Sequence, residues 1–147
     1  MYLTVILDWY SRCVLSWSMS DTLATDFVLE ALEGALRKAR PQIINSDQGV
    51  QYTSVAWRER IATESTDIAI SMDGRGRCMD NIFTERFWRT YKYEEVYLKD
   101  YESPRICRQE TARYIEHYNN DRPHSALKNK TPAEIYTGKR KSILIIK

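Results

Sequence analysis

The spacing of apolar and polar residues along the chain predicts strands that alternate with helices. Residues 2–8 are apolar or β-branched at successive positions, which is typical of a strand buried on both faces. A turn over residues 8–12 leads into a second strand over 13–19, so the two strands form a hairpin. Apolar residues at helical spacing then predict a helix that begins at Thr25 or Asp26 and ends near residue 39.

The same alternation continues through the rest of the chain. Strands are predicted over 42–47 and 67–71, and helices are predicted to begin after Ser54, after Asp80 or Asn81, at Pro104 and at Pro132. Strands interleaved with helices favour an α/β sandwich with a mixed sheet. Residues 138–147 are basic and then briefly apolar, so we assign them to a tail and residues 1–137 to one domain.

The composition narrows the class of protein. A chain of 147 residues with 43% hydrophobic and 12% aromatic residues is typical of one folded domain. It has no apolar run long enough to cross a bilayer and no signal-peptide pattern at the N-terminus, so we expect a cytoplasmic protein without membrane contact. Three widely separated cysteines fit a reducing compartment and exclude a zinc site, and two histidines exclude a His-rich metal site.

Charge is distributed unevenly along the chain. Residues 1–73 carry 6 basic and 10 acidic side chains, whereas residues 74–147 carry 16 basic and 10 acidic ones. This asymmetry favours a basic face for a polyanion on the second half.

Residues 71–95 contain the first candidate functional site. A basic loop with two glycines precedes a predicted helix on which Glu85, Arg89 and Lys92 share one face at i, i+4 and i+7, with Arg86 beside them. The simpler interpretation is a solvated face with a Glu–Arg pair. The alternative is a metal-binding carboxylate beside a row of cations, and this alternative requires a second carboxylate.

Asp47 is the candidate for that second carboxylate. It ends a predicted strand before Gln48 and Gly49, where α/β proteins place ligands, although an Asp before a turn also commonly holds the turn. Asp47 and Glu85 would repel each other unless a hard cation such as Mg²⁺ lay between them. The candidate phosphate-binding residues are Arg75, Arg77, Arg86, Arg89 and Lys92. We expect Trp88 to belong to the core and not to a base-stacking surface.

Five motifs in order, at residues 7–12, 46–54, 71–95, 118–127 and 131–136, resemble the integrase-type catalytic core of bacterial insertion-sequence transposases. The resemblance implies a ribonuclease-H-like mixed sheet flanked by helices. It also implies cleavage and joining of DNA strands with Mg²⁺ or Mn²⁺, with two ions expected in an intact site. The implied partners are DNA, as element ends and target, and further copies of the chain assembled on that DNA at the bacterial nucleoid.

The resemblance assigns the second Asp and the Glu of an Asp–Asp–Glu site to Asp47 and Glu85, as catalytic residues and metal ligands. The first Asp of that site belongs to a Trp-x-x-Asp strand ahead of residues 2–8, and this sequence contains no such strand. We therefore expect a sheet that lacks its first strand and has an unpaired edge, as in an N-terminally truncated reading frame. Asp8 is the nearest acidic residue, and it either holds the hairpin turn or replaces the missing ligand.

Two functions remain open from the sequence. The first is a DDE-type transposase core for DNA integration and recombination, whose activity is uncertain because one acidic ligand is missing. The second is a non-catalytic remnant that binds DNA or an intact transposase. A ribonuclease-H-like nuclease that cuts without joining would fit the carboxylates, but it would not explain the motifs at 118–127 and 131–136.

Overall fold

The computed structural model describes residues 1–46, 49–72, 82–138 and 142–146. The strands are β1 (Tyr2–Asp8), β2 (Val14–Ser20), β3 (Pro41–Ser46), β4 (Ala69–Met72) and β5 (Ser142–Ile146). The helices are α1 (Asp26–Leu36), α2 (Val50–Thr53), α3 (Val55–Glu64), α4 (Ile82–Glu94), α5 (Pro104–Asn120) and α6 (Pro132–Thr137). Every predicted strand and helix has a counterpart within a few residues, and α2 is an additional short helix.

The strands form one mixed sheet in the order β2-β1-β5-β3-β4. β1 and β2 form an antiparallel hairpin, and β3 pairs with β4 in parallel. β5 joins these two halves because it is antiparallel to β1 and parallel to β3. The predicted α/β class with a mixed sheet is confirmed.

The expectation of an unpaired strand at β1 is wrong, since β5 fills the position beside it. Leu144 pairs with Asp8 on one side and Ile44 on the other, and Ile146 pairs in the same way with Ile6 and Ser46. The side chain of Ile146 is fully buried. Part of the predicted tail is therefore the central strand of the sheet, and the domain boundary at residue 137 stays a prediction.

The first core layer lies between the sheet and helices α1 and α3. All six residues predicted to face inward on α1 are buried, namely Phe27, Val28, Ala31, Leu32, Ala35 and Leu36. Trp57 and Ile61 of α3 complete this layer against Ile6, Ile44 and Ile146. Gly34 lets α1 approach β2 closely, because a Cβ there would fall against Ser16 Oγ and 3.1 Å from Ser16 Cβ.

The second core layer lies on the opposite face of the sheet, under α4 and α5, and it is largely aromatic. Phe87 packs edge-on against Tyr118 with ring centroids 5.1 Å apart, and Tyr91 packs against Tyr114 at 5.2 Å. Trp88 is partly buried against this layer, so its predicted place in the core is confirmed. Because the aromatic side chains of α4 are buried in this layer, the opposite face of the helix points to solvent.

Side-chain caps mark several of the helix starts. Ser54 accepts a hydrogen bond from Trp57 N at 3.2 Å, and Thr131 forms a reciprocal capping box with Glu134. Thr25 occupies the N-cap position of α1, as predicted. Its side chain makes no cap hydrogen bond there, so the predicted side-chain cap is wrong. Asp80 and Asn81, the predicted caps of α4, lie outside the described residues. Among the helices described, none has the length and apolar character needed to span a membrane.

Candidate nucleic-acid interface

The predicted site residues divide into two groups. Asp47, Arg75 and Arg77 lie outside the described residues, and their placement stays a prediction. The others are Glu85, Arg86, Arg89 and Lys92, all exposed on helix α4. The basic row that the sequence places on this helix therefore faces solvent.

Glu85 lies in the first turn of α4, with its side chain exposed. No ion pair joins it to Arg89, and within the described ranges its carboxylate makes no hydrogen bond. Buried Phe87 and Tyr91 point the opposite face of the helix into the core and so hold Glu85 outward. The solvated face of the simpler interpretation is therefore confirmed, whereas its Glu–Arg pair is absent among the described residues, and the carboxylate oxygens of Glu85 can accept a hard cation.

Asp8 holds the hairpin turn. Its side chain is fully buried, and Oδ2 accepts hydrogen bonds from Ser11 N at 2.9 Å and from Ser11 Oγ at 2.5 Å. Its backbone N–H donates to Cys13 O, and its carbonyl accepts from Arg12 N, each at 2.8 Å. A carboxylate that is buried and engaged in this way is poorly placed to replace a metal ligand, so the interpretation as a turn residue is confirmed.

The end of β3 supplies oxygen atoms immediately before Asp47. Asn45 and Ser46 are buried, and within the described residues Asn45 Oδ1 and Ser46 Oγ have no hydrogen-bond partner. Asn45 Nδ2 donates to Ser71 Oγ at 3.4 Å. Hard oxygen donors at this strand end, together with Glu85, are of the chemical type that Mg²⁺ takes.

The described residues contain no complete acidic metal site. The segment 142–147 that contributes the central strand has no acidic residue in its sequence. Across the described ranges, no group of three or more His, Cys, Asp and Glu side chains could hold a metal ion.

The structure brings two cations that the sequence analysis did not select, Arg12 and Arg122, to the basic row. Arg12, from the β1–β2 turn, lies over the ring of Phe83 at the start of α4 and shares a pocket with Arg86 and Arg89. The motif at residues 7–12 contained Arg12, but only the tertiary fold brings it to the basic row. Lys92, one turn further along α4, does not line this pocket.

Two solved structures with the same architecture are retroviral. One is a chain of the simian T-cell lymphotropic virus intasome in complex with PP2A regulatory subunit B56 gamma, with a TM-score of 0.70 and 17% identity, covering 94% of this chain and 49% of the other. Another is the HTLV-2 integrase catalytic core domain in complex with magnesium, with a TM-score of 0.67 and 19% identity, covering 88% of this chain and 81% of the other. The mixed sheet between two helical layers is therefore the ribonuclease-H-like fold of integrase catalytic cores.

The sequence comparisons identify the family. Residues 1–78 and 66–132 each match a family described as an integrase core domain. The chain belongs to the integrase core domain family. The predictions of fold and of family are confirmed.

Its sequence relatives include transposases of insertion sequences. The chain is 34% identical over 138 residues to the transposase for insertion sequence element IS904 of Lactococcus lactis, covering 91% of this chain and 54% of the relative. It is 35% identical over 129 residues to transposase InsF for insertion sequence IS3A of Escherichia coli, covering 85% of this chain and 44% of the relative. The chain thus spans about half the length of these relatives.

Proposed function

We propose that this chain is the catalytic core of a DDE-type insertion-sequence transposase, which cleaves and joins DNA strands with Mg²⁺ or Mn²⁺. The observation that carries the proposal is the match of two overlapping integrase-core segments that together span residues 1–132. The outward-facing Glu85, unpaired within the described residues, supports the proposal because this carboxylate can accept a metal ion.

Asp47 and Glu85 are the proposed metal ligands and catalytic residues. When bound, the metal supplies activation of the attacking oxygen and stabilisation of the leaving oxygen of a phosphodiester. The chain's own contribution is to hold the two carboxylates and to orient the DNA backbone. The proposed phosphate-binding cations are Arg75, Arg77, Arg86, Arg89 and Lys92, and their contribution to binding is independent of sequence and weakened by salt.

We further propose that the DNA partners are the element ends and the target, and that several copies assemble on them. The support is the class of relatives, namely bacterial transposases and a retroviral intasome. Such a protein acts in the bacterial cytoplasm, at the nucleoid.

The second candidate function is a non-catalytic core that binds DNA or an intact transposase. Two observations favour it. Asp8 is engaged by Ser11, and the central strand β5 comes from a segment without a carboxylate. Under this alternative the exposed cations still bind DNA, but the chain no longer cleaves and joins DNA strands.

Cleavage and joining of a labelled duplex that carries an element end, in Mn²⁺, separates the two candidates. Asp47→Asn and Glu85→Gln should each abolish activity, whereas Glu59→Gln, an exposed carboxylate on α3, should leave it unchanged. Salt-sensitive DNA binding without cleavage would support the non-catalytic core. A chain that neither binds nor cleaves the duplex, and does not bind an intact transposase, would overturn both.

A further inference from the structure

A basic pocket of about 240 Å³ lies between the β1–β2 turn, helix α4 and the chain after α5. Its walls combine cationic and aromatic side chains from three separate parts of the sequence. The residues that matter here are Arg12, Phe83, Arg86, Arg89, Tyr118 and His124.

Arg12 is held in place by its backbone conformation and by two contacts. Its backbone φ of 65° is left-handed, its Nη1 donates to Trp9 O, and its guanidinium carbon lies 3.1 Å from the centre of the Phe83 ring. Partial burial, opposed by Tyr118 and assisted by the neighbouring positive charge of Arg86, lowers the pKa of Arg12 from 12.5 to about 10. Arg12 is nevertheless cationic at neutral pH, so a half-buried positive charge is held beside a second one.

The pocket carries charge that its own walls do not neutralise. No carboxylate of the described residues forms an ion pair with Arg12, Arg86 or Arg89. Arg122, which also lines the pocket, differs because it forms a two-pronged pair with Glu94 at 3.0 and 2.6 Å.

His124 adds a polar atom without adding charge. Burial lowers its pKa, and Arg122 lowers it further as a nearby positive charge. Its Nε2 is buried and has no hydrogen-bond partner within the described chain. The pocket therefore holds three uncompensated guanidinium groups and an open hydrogen-bonding atom.

We infer that this pocket binds one backbone phosphate of a DNA strand, with Arg12 and Arg86 as its principal donors. The inference rests on the proposed function and deepens it. Planar guanidinium groups donate paired hydrogen bonds to phosphate oxygens, and the aromatic walls shield these bonds from water. Arg86 follows Glu85 directly in α4, so a strand held by this pocket passes beside the helix turn that carries the proposed metal ligand.

Duplex binding measured by fluorescence anisotropy in EDTA, as a function of salt, tests the pocket without any metal chemistry. Arg12→Gln and Arg86→Gln should each weaken binding about tenfold and lower the slope of log K against log salt by about 1. The double variant should also lower the slope by only about 1, because both side chains contact the same phosphate. Arg58→Gln, an exposed cation of α3 on the other face of the sheet, should leave the slope unchanged.

Arg86→Gln keeps the test decisive if Arg12→Gln disturbs the turn, since Arg86 is exposed. An unchanged slope for folded Arg86→Gln, with wild-type binding intact, would overturn the pocket and leave the proposed function standing. Wild-type protein that binds no duplex would overturn both together. A poly-glutamate peptide that competes as well as a DNA strand of equal charge would identify an acidic protein segment as the ligand and overturn the assignment to DNA.

Discussion

The guanidinium of Arg12 stacks on the ring of Phe83, with its central carbon 3.1 Å from the ring centre. This contact joins the β1–β2 turn to the first turn of α4, two residues before Glu85. Trp9 supports the same junction, since its ring lies 6.1 Å from that of Phe83. The hairpin at one end of the chain therefore helps to position the helix that carries the candidate site.

Replacing Phe83 with Leu should test this junction, because Leu stays apolar but offers no aromatic face. We expect the free energy of unfolding in urea to fall by about 0.5–1 kcal/mol, the usual contribution of such a contact. DNA affinity should fall as well, since Arg12 loses its support. In an Arg12→Gln background the same substitution should lower stability by less, and an equal loss in both backgrounds would show that the two side chains are not coupled.

The central strand β5 should be essential for folding. It pairs with β1 on one side and β3 on the other, so a chain ending at residue 141 would lose the strand that joins the two halves of the sheet. We expect that chain to lose its cooperative thermal transition by circular dichroism. Ile146→Val should lower the free energy of unfolding by only about 0.5–1.5 kcal/mol, as deletion of one buried methylene does. A cooperative transition near the wild-type temperature in the shortened chain would contradict this role.

Asp8 and Ser11 should behave as one coupled pair in stability. Asp8→Ala leaves the Ser11 amide and hydroxyl without their acceptor, and Ser11→Ala removes one of the two hydrogen bonds. We expect Ser11→Ala to lower the free energy of unfolding by about 1–3 kcal/mol and Asp8→Ala by more. A double-mutant cycle in urea should give a non-additive result. An Asp8→Asn variant that folds normally but loses metal-dependent activity would instead indicate a ligand role.

Ionisation of the Cys13 thiol should lower the stability of the protein at alkaline pH. Burial raises the pKa of its thiol from 9.0 to about 11. Because the folded state holds the proton more tightly, its stabilising contribution is complete below pH 9.0 and is lost as the pH rises toward 11. Urea unfolding between these limits should show a steeper loss of stability in the wild type than in Cys13→Ala. Identical pH profiles for the two proteins would contradict this assignment.

Much of the fold follows from local patterns in the sequence. The inward residues of α1 and α3 and the boundaries of β1 and β2 agree with the observed elements because each depends on the spacing of neighbouring residues. The capping role of Ser54 was readable for the same reason. The exposed face of α4 that carries Glu85, Arg89 and Lys92 also follows from helical periodicity.

The tertiary structure decided what depends on distant contacts. Whether an apolar segment such as 142–146 pairs with β1 or β3 depends on register and on unsatisfied backbone groups far away in sequence, which no local spacing encodes. In the same way, Arg12 and Arg86 share a pocket only because the hairpin turn packs on α4. The sequence by itself determined the elements, their buried faces and the family motifs. Long-range strand pairing and the packing of the turn decided that β5 closes the sheet, that Asp8 holds a turn, and that Arg12 joins the basic face.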